Sequence, residues 1–205
     1  MLPELKSTSA EVKEIATILG ADPNDIKLGV AATETNVKKL KLDDYRVVYF
    51  ATHGLVAGDL QSFLAKRAEP ALALTFPDRP TELDDGLLTA SEIGELKLNA
   101  DWVILSACNT AAGAAIGAEA LSGLARSFFF AGARSLVVSH WAVNSRPTVS
   151  LMTNMIKQSS ANPGIPHAQA LRIAILSWIG SAADDFDMHP RMWAPFVVVG
   201  EALRP

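Results

Sequence analysis

Apolar positions fall into two rhythms along this chain. In "STSAEVKEIATIL" the residues Val12, Ile15, Ile18 and Leu19 recur at helical spacing, and Thr8 with Glu11 has the spacing of a capping box at the helix start. By contrast, VVYF, WVIL, SLVV and FVVV are near-continuous apolar runs of strand length. Such runs suit strands covered on both faces, as in parallel sheets.

The remaining segments fill in between. "IKLGVAA" reads as a short strand or extended link, and "TETNVKKLKL" as a helix opened by Thr33 and closing in lysines that complement its dipole. A strand is predicted over 46–52, loop over 54–70, a strand over 71–76, and a surface turn in "PDRPTELDDG". "LLTASEIGEL" reads as a short helix capped by Thr89 or Ser91, followed by a buried strand over 102–107. "GAEALSGLARSFFFAG" is a helix with Leu121, Leu124, Phe128 and Ala131 inward and Gly132 as its stop. The strand "SLVVSHW" follows. Two helices, "RPTVSLMTNMIKQ" and "PHAQALRIAILSWIG", each carry a proline near the first turn, and "APFVVVG" is the last strand. Strands alternating with helices predict an α/β fold: an open, mainly parallel sheet with helices on both faces.

Composition narrows the class. The 205 residues suit one domain spanning 1–205, and 49% hydrophobic content provides a core. A net charge of −4 speaks against nucleic acid as a direct partner. No apolar run reaches membrane-spanning length, and the N-terminus lacks the apolar core of a signal peptide, so no membrane is expected. One cysteine rules out an internal disulfide framework and suits a reducing, cytoplasmic setting. No H-x-x-x-H, G-x-G-x-x-G or G-K-[ST] pattern occurs, so neither a metal nor a cofactor is expected.

Two strand ends carry chemistry. The apolar run of "VVYFATHGL" leads into His53-Gly54, and "WVILSACNT" reaches Cys108. In an open parallel sheet, function gathers outside the carboxyl ends of the strands. If the two strands are neighbours, imidazole and thiol face each other; the ring raises the thiolate fraction and then protonates a leaving amine. Gly54, without a Cβ, lets its N–H approach an oxyanion, and the Cys108 N–H supplies the second donor. Each residue alone has a plainer reading: a buried core cysteine and a histidine that satisfies a loop carbonyl. Asp84 and Asp85 could line a cleft or be solvated turn acids. His140 reads as a structural residue inside a strand, and His167 and His189 have no partner at metal-ligand spacing.

The stretches FATHG, DDGLLTASEI, VILSACNT, GAEALSGLARSFFFAGARSLVVSHWAV, ALRIA and HPRMWAPFVVVGE run in order over nearly the whole chain. Together they resemble the CHAT domain, the caspase-like module often found behind tetratricopeptide repeats in bacterial proteins. The positions 53 and 108 also repeat the caspase spacing, in which the histidine lies about 50 residues upstream of the cysteine. The resemblance implies a cysteine peptidase of the clan of caspases, separase and gingipains, with His53 and Cys108 as the dyad. It implies a protein or peptide substrate, and a chain that is part of something longer, regulated by a tetratricopeptide-repeat region or a regulatory protein. A non-catalytic caspase-like interaction module is the alternative.

The chain departs from the family's pattern in two places. Where relatives often carry an acidic pair for a basic P1 side chain, this chain has Asn144-Ser145 followed by Arg146, so a preference for Arg or Lys does not carry over. The glycine that caspases have two positions after the cysteine is here Thr110. By position, Trp141, Asn144 and Asp85 are candidate walls of a substrate pocket. Trp141 could equally cap the core, and Asn144 could equally cap a helix.

Overall fold

The structure is a computed structural model that describes residues 5, 7–55, 69–106, 123–141 and 145–201. Its main sheet is organised around β5 (Trp102–Ser106), whose five residues are all buried. β1 (Val47–Ala51) pairs with β5 in parallel, from Val47 opposite Trp102 to Ala51 opposite Ser106. β6 (Ser135–Ser139) pairs in parallel on the other side, and β7 (Phe196–Gly200) closes the order β1-β5-β6-β7 antiparallel to β6. Among the described residues the sheet is thus mainly parallel, as the unbroken apolar runs require, with one antiparallel edge.

Alternate residues of these strands feed two cores. Val48, Phe50, Val103, Leu105, Leu136 and Val138 face α2 (Glu34–Lys39), α3 (Ala90–Glu95) and α4 (Gly123–Phe130) through Val37, Ile93, Leu124 and Phe128. Trp102, Ile104 and Val137 face α1 (Thr8–Leu19), α5 (Ser145–Ala161) and α6 (His167–Gly180) through Ile15, Met152, Met155, Leu171 and Trp178. Burying each such side chain stabilises the fold by about 1.5–3 kcal/mol, so two apolar faces on one sheet hold both helix layers. Two short helices, α7 (Asp185–Met188) and α8 (Pro190–Trp193), lead into β7.

A second sheet sits at the carboxyl end of β1. After one bend residue, Thr52, the chain enters β2 (His53–Leu55), which pairs antiparallel with β3 (Ala71–Ala73), and β3 with β4 (Leu87–Thr89). The expected loop therefore begins with a strand, and Leu87–Thr89 belongs to a strand rather than to the helix. A three-residue strand is too short to show a period-two pattern. Thr89 is the N-cap of α3 and forms a full capping box with Glu92.

Two further expectations change. The "IKLGVAA" segment holds a 3-10 turn over Gly29–Ala31. At α1 there is no capping box: Ser7 is the N-cap without a side-chain bond, and the Thr8 hydroxyl donates to the Leu5 carbonyl at 2.8 Å. Glu11 is 2% exposed and points into the core instead. The stop at Gly132 holds: its φ is +110°, and a Cβ there would lie 2.3 Å from the Leu98 carbonyl oxygen, which only glycine tolerates.

Candidate functional site

The expected site depends first on whether the two strands are neighbours, and they are. β1 and β5 run side by side in the same direction, with Ala51 opposite Ser106 at their carboxyl ends. His53 comes two residues after Ala51, and Cys108 two residues after Ser106. Cys108 itself, with Asn144, lies outside the described residues.

His53 is held by the small sheet rather than by a loose loop. It is half-buried and stands opposite Ala73, while Ala73 stands opposite Leu87, so the three form one row across β2, β3 and β4. The bend before it is fixed by the Thr52 hydroxyl, which donates to the Ala73 carbonyl. Alternation puts the His53 side chain on the same face as Leu55, Ala71 and Leu87, a small apolar cluster. Gly54 stands opposite Leu72, which is fully buried in the main core.

Asp85 has a definite local role. Its carboxylate accepts the Leu87 N–H at 2.9 Å, closing the turn into β4, and its own N–H donates to Glu34 at 3.0 Å. Gly86 N–H donates to the same Glu34 oxygen at 3.2 Å. Asp84 accepts from the Thr35 N–H and hydroxyl, and this contact with Thr35 holds its carboxyl below the usual range. Behind them Glu34, 1% exposed, pairs with Lys38, which also reaches Glu92 at 2.9 Å. Burial pushes the Glu34 carboxyl up; for Lys38, burial is outweighed by the two carboxylates, which raise it. The acidic turn is therefore fastened to α2, at the end of the small sheet where His53 enters it.

Trp141 follows β6 and is 39% exposed, with its ring centroid 6.4 Å from that of His140. His140 lies beyond the end of β6 and is exposed, not within the strand as expected; its N–H donates to the Pro195 carbonyl. Arg146 donates to the Asp187 carboxylate and sits 5.3 Å over the Trp178 ring. A groove of about 620 Å³ is lined by residues of α1, α2 and β1, and its lining includes Ala51, Thr52 and Ala73.

Two constellations escaped the sequence reading. Glu11 accepts hydrogen bonds from the Tyr49 hydroxyl and, at 2.8 Å, from the Ser106 hydroxyl. Burial pushes the Glu11 carboxyl up, and loss of water together with Glu11 pushes the Tyr49 phenol well up. At the opposite end of the sheet, the His167 ring stacks on Trp102 at 4.1 Å and its Nδ1 lies 3.0 Å from the Ser135 hydroxyl. Burial lowers His167, with Asp101 acting against it. Ser135 is 1% exposed and donates to the Asp101 carbonyl, so this is a packing element at the amino ends of the strands. His189 caps α8, its Nδ1 accepting the Arg191 N–H. Neither set had a local signal, because each joins residues distant in sequence.

Among the described residues, no group of three or more histidine, aspartate or glutamate side chains is placed to hold a metal ion, and no helix is long and apolar enough to cross a membrane. A protein-family model described as "CHAT domain" matches residues 1–201. No curated protein matches the chain.

Proposed function

The chain belongs to the CHAT domain family, in the caspase-like clan, and from that premise we propose that it is a cysteine endopeptidase using His53 and Cys108 as its dyad. The observation that carries the reading is the parallel pairing of β1 with β5, which sets Ala51 opposite Ser106 two residues ahead of each dyad member. Adjacent strands run about 4.8 Å apart, so the segments that follow start within reach of one scissile bond.

In this reading the Cys108 thiolate attacks the peptide carbonyl carbon, forming the S–C bond and an oxyanion. The N–H groups of Gly54 and Cys108 hold that oxygen. Protonated His53 gives its proton to the amine as the C–N bond breaks, leaving a thioester. Water then attacks the thioester, His53 takes its proton, and the S–C bond breaks to restore the thiolate. Trp141, Asn144 and Asp85 are proposed walls of the substrate pocket. Asn144-Ser145 stands where relatives carry the acidic pair, and Arg146, which follows it, is engaged with Asp187; the missing acids disfavour a basic P1 side chain. Substrates are proteins or peptides, the setting is the cytoplasm of a bacterium, and control comes from a tetratricopeptide-repeat region or a regulatory protein.

The same replacement of the acidic pair favours a second reading, a caspase-like interaction module without turnover. A peptide-library cleavage screen beside Cys108→Ala separates the two. Cleavage that the variant loses supports the peptidase. The absence of cleavage above the variant, together with a Cys108 alkylation profile across pH that His53→Ala leaves unchanged, defeats it.

A further inference from the structure

Towards the face of β1 and β5, α1 turns an ionisable side chain that the peptidase chemistry does not use. Glu11 is 2% exposed, one turn before Ile15 of the apolar layer, and it reaches β5 at Ser106, two residues beyond Ile104. A carboxylate in an apolar layer is costly unless its oxygens are hydrogen-bonded. Here one oxygen, Oε1, accepts both from the Tyr49 hydroxyl of β1 and from the Ser106 hydroxyl of β5. One atom therefore joins the first helix to two adjacent strands. The joint sits at their carboxyl ends: Ser106 is the last residue of β5, and Tyr49 is two residues short of the end of β1. Glu14, on the same helix, binds Lys157 of α5 at 3.1 Å, so α1 is fastened to its neighbours by two carboxylates of different exposure.

Glu11 is not needed to cap α1, since the N-cap is Ser7 and the Thr8 hydroxyl is turned back to Leu5. What it does hold is the slide and separation of β1 against β5 at the point where each leads to its site residue. We propose that Glu11 is a positioning residue: its Oε1 locks the ends of β1 and β5 to each other and to α1, so that reactivity at the strand ends follows the docking of α1. The inference rests on the reading of His53 and Cys108 as the dyad.

The test uses the whole chain and compares wild type, His53→Ala, Glu11→Gln and Glu11→Leu at a temperature where melts show all of them folded. Two quantities are measured: the rate of Cys108 alkylation by iodoacetamide at neutral pH, and hydrogen exchange of the amides of residues 49–51 and 104–106. Gln keeps an acceptor oxygen, whereas Leu keeps the volume without one. Glu11→Leu is expected to lower the alkylation rate about tenfold, the scale of a small misplacement of a reacting group, and to speed exchange at both strand ends. Glu11→Gln is expected to stay close to wild type in both.

A folded Glu11→Leu that alkylates at the wild-type rate, or exchanges as wild type does, overturns the proposal and leaves a merely structural carboxylate. A wild-type rate equal to that of His53→Ala defeats the dyad reading by itself; the exchange contrast between Leu and Gln then still decides whether the lock exists. Should Glu11→Leu fail to fold, Tyr49→Phe and Ser106→Ala each remove one donor. Faster exchange at the strand ends in these variants supports the lock, and unchanged exchange in both overturns it.

Discussion

Glu11 and Ser106 are 95 positions apart in the chain and 2.8 Å apart in the fold. This contact ties the first helix to the end of the central strand of the main sheet. It also puts an acid where its ionisation matters for stability. Burial raises the Glu11 carboxyl above its ordinary value of 4.5, despite the hydrogen bonds from Tyr49 and Ser106 that favour the charged form.

A raised folded-state pKa gives a definite sign. The contribution of Glu11 is fully present below about pH 4.5 and is lost as pH rises through the folded-state value, because the folded form resists losing the proton. Glu11→Gln cannot ionise. Its stability relative to wild type should therefore improve as pH rises from about 4 to 8. Urea unfolding across that range measures the difference, and a stability of Glu11→Gln relative to wild type that falls or stays flat contradicts the prediction.

Lys38 offsets the charge of Glu34, which is 1% exposed. Lys38→Met should lower stability by about 2–3 kcal/mol at neutral pH, since removing one partner of a buried pair leaves the other uncompensated. Glu34 is already raised by burial, and losing Lys38 raises it further. The loss should accordingly diminish as pH falls and Glu34 takes up a proton. Denaturant midpoints at neutral and acid pH provide the check.

His167 titrates in the opposite sense. Burial against Trp102 lowers it from 6.5, although Asp101 acts against the shift. The folded form favours the neutral ring, so its contribution is fully present above about pH 6.5 and is lost as pH falls below it. His167→Asn places an amide near the Ser135 hydroxyl and does not titrate. Wild type should lose stability relative to this variant between about pH 7 and pH 5. Parallel thermal melts would reveal the trend; its reversal would contradict the assignment.

Trp141 is 39% exposed beyond the end of β6. If it walls the proposed substrate pocket, Trp141→Ala should reduce kcat/KM for a cleaved peptide about tenfold, the scale of losing a buried aromatic contact. Its melting temperature should barely change. Peptide cleavage measured beside a melt separates this from a core-capping role, in which stability would drop while the rate of the folded fraction held.

The sequence by itself determined the α/β class, the buried runs that become β1, β5, β6 and β7, the stop at Gly132 and the order of motifs that marks the family. It also singled out His53 and Cys108 as the residues that follow the ends of two apolar strands. These are local signals, written in the spacing of neighbouring side chains and in the preference of glycine for a positive φ. Tertiary structure alone decided that β1 lies next to β5 with Ala51 opposite Ser106, that three-residue strands form a second sheet around His53, that the Asp84-Asp85 turn is fastened to Glu34, and that Glu11 turns inward rather than capping its helix. Each of these joins groups that only chain return brings together. A hydrogen bond across such a distance depends on which faces meet, and periodicity within one segment carries no record of that.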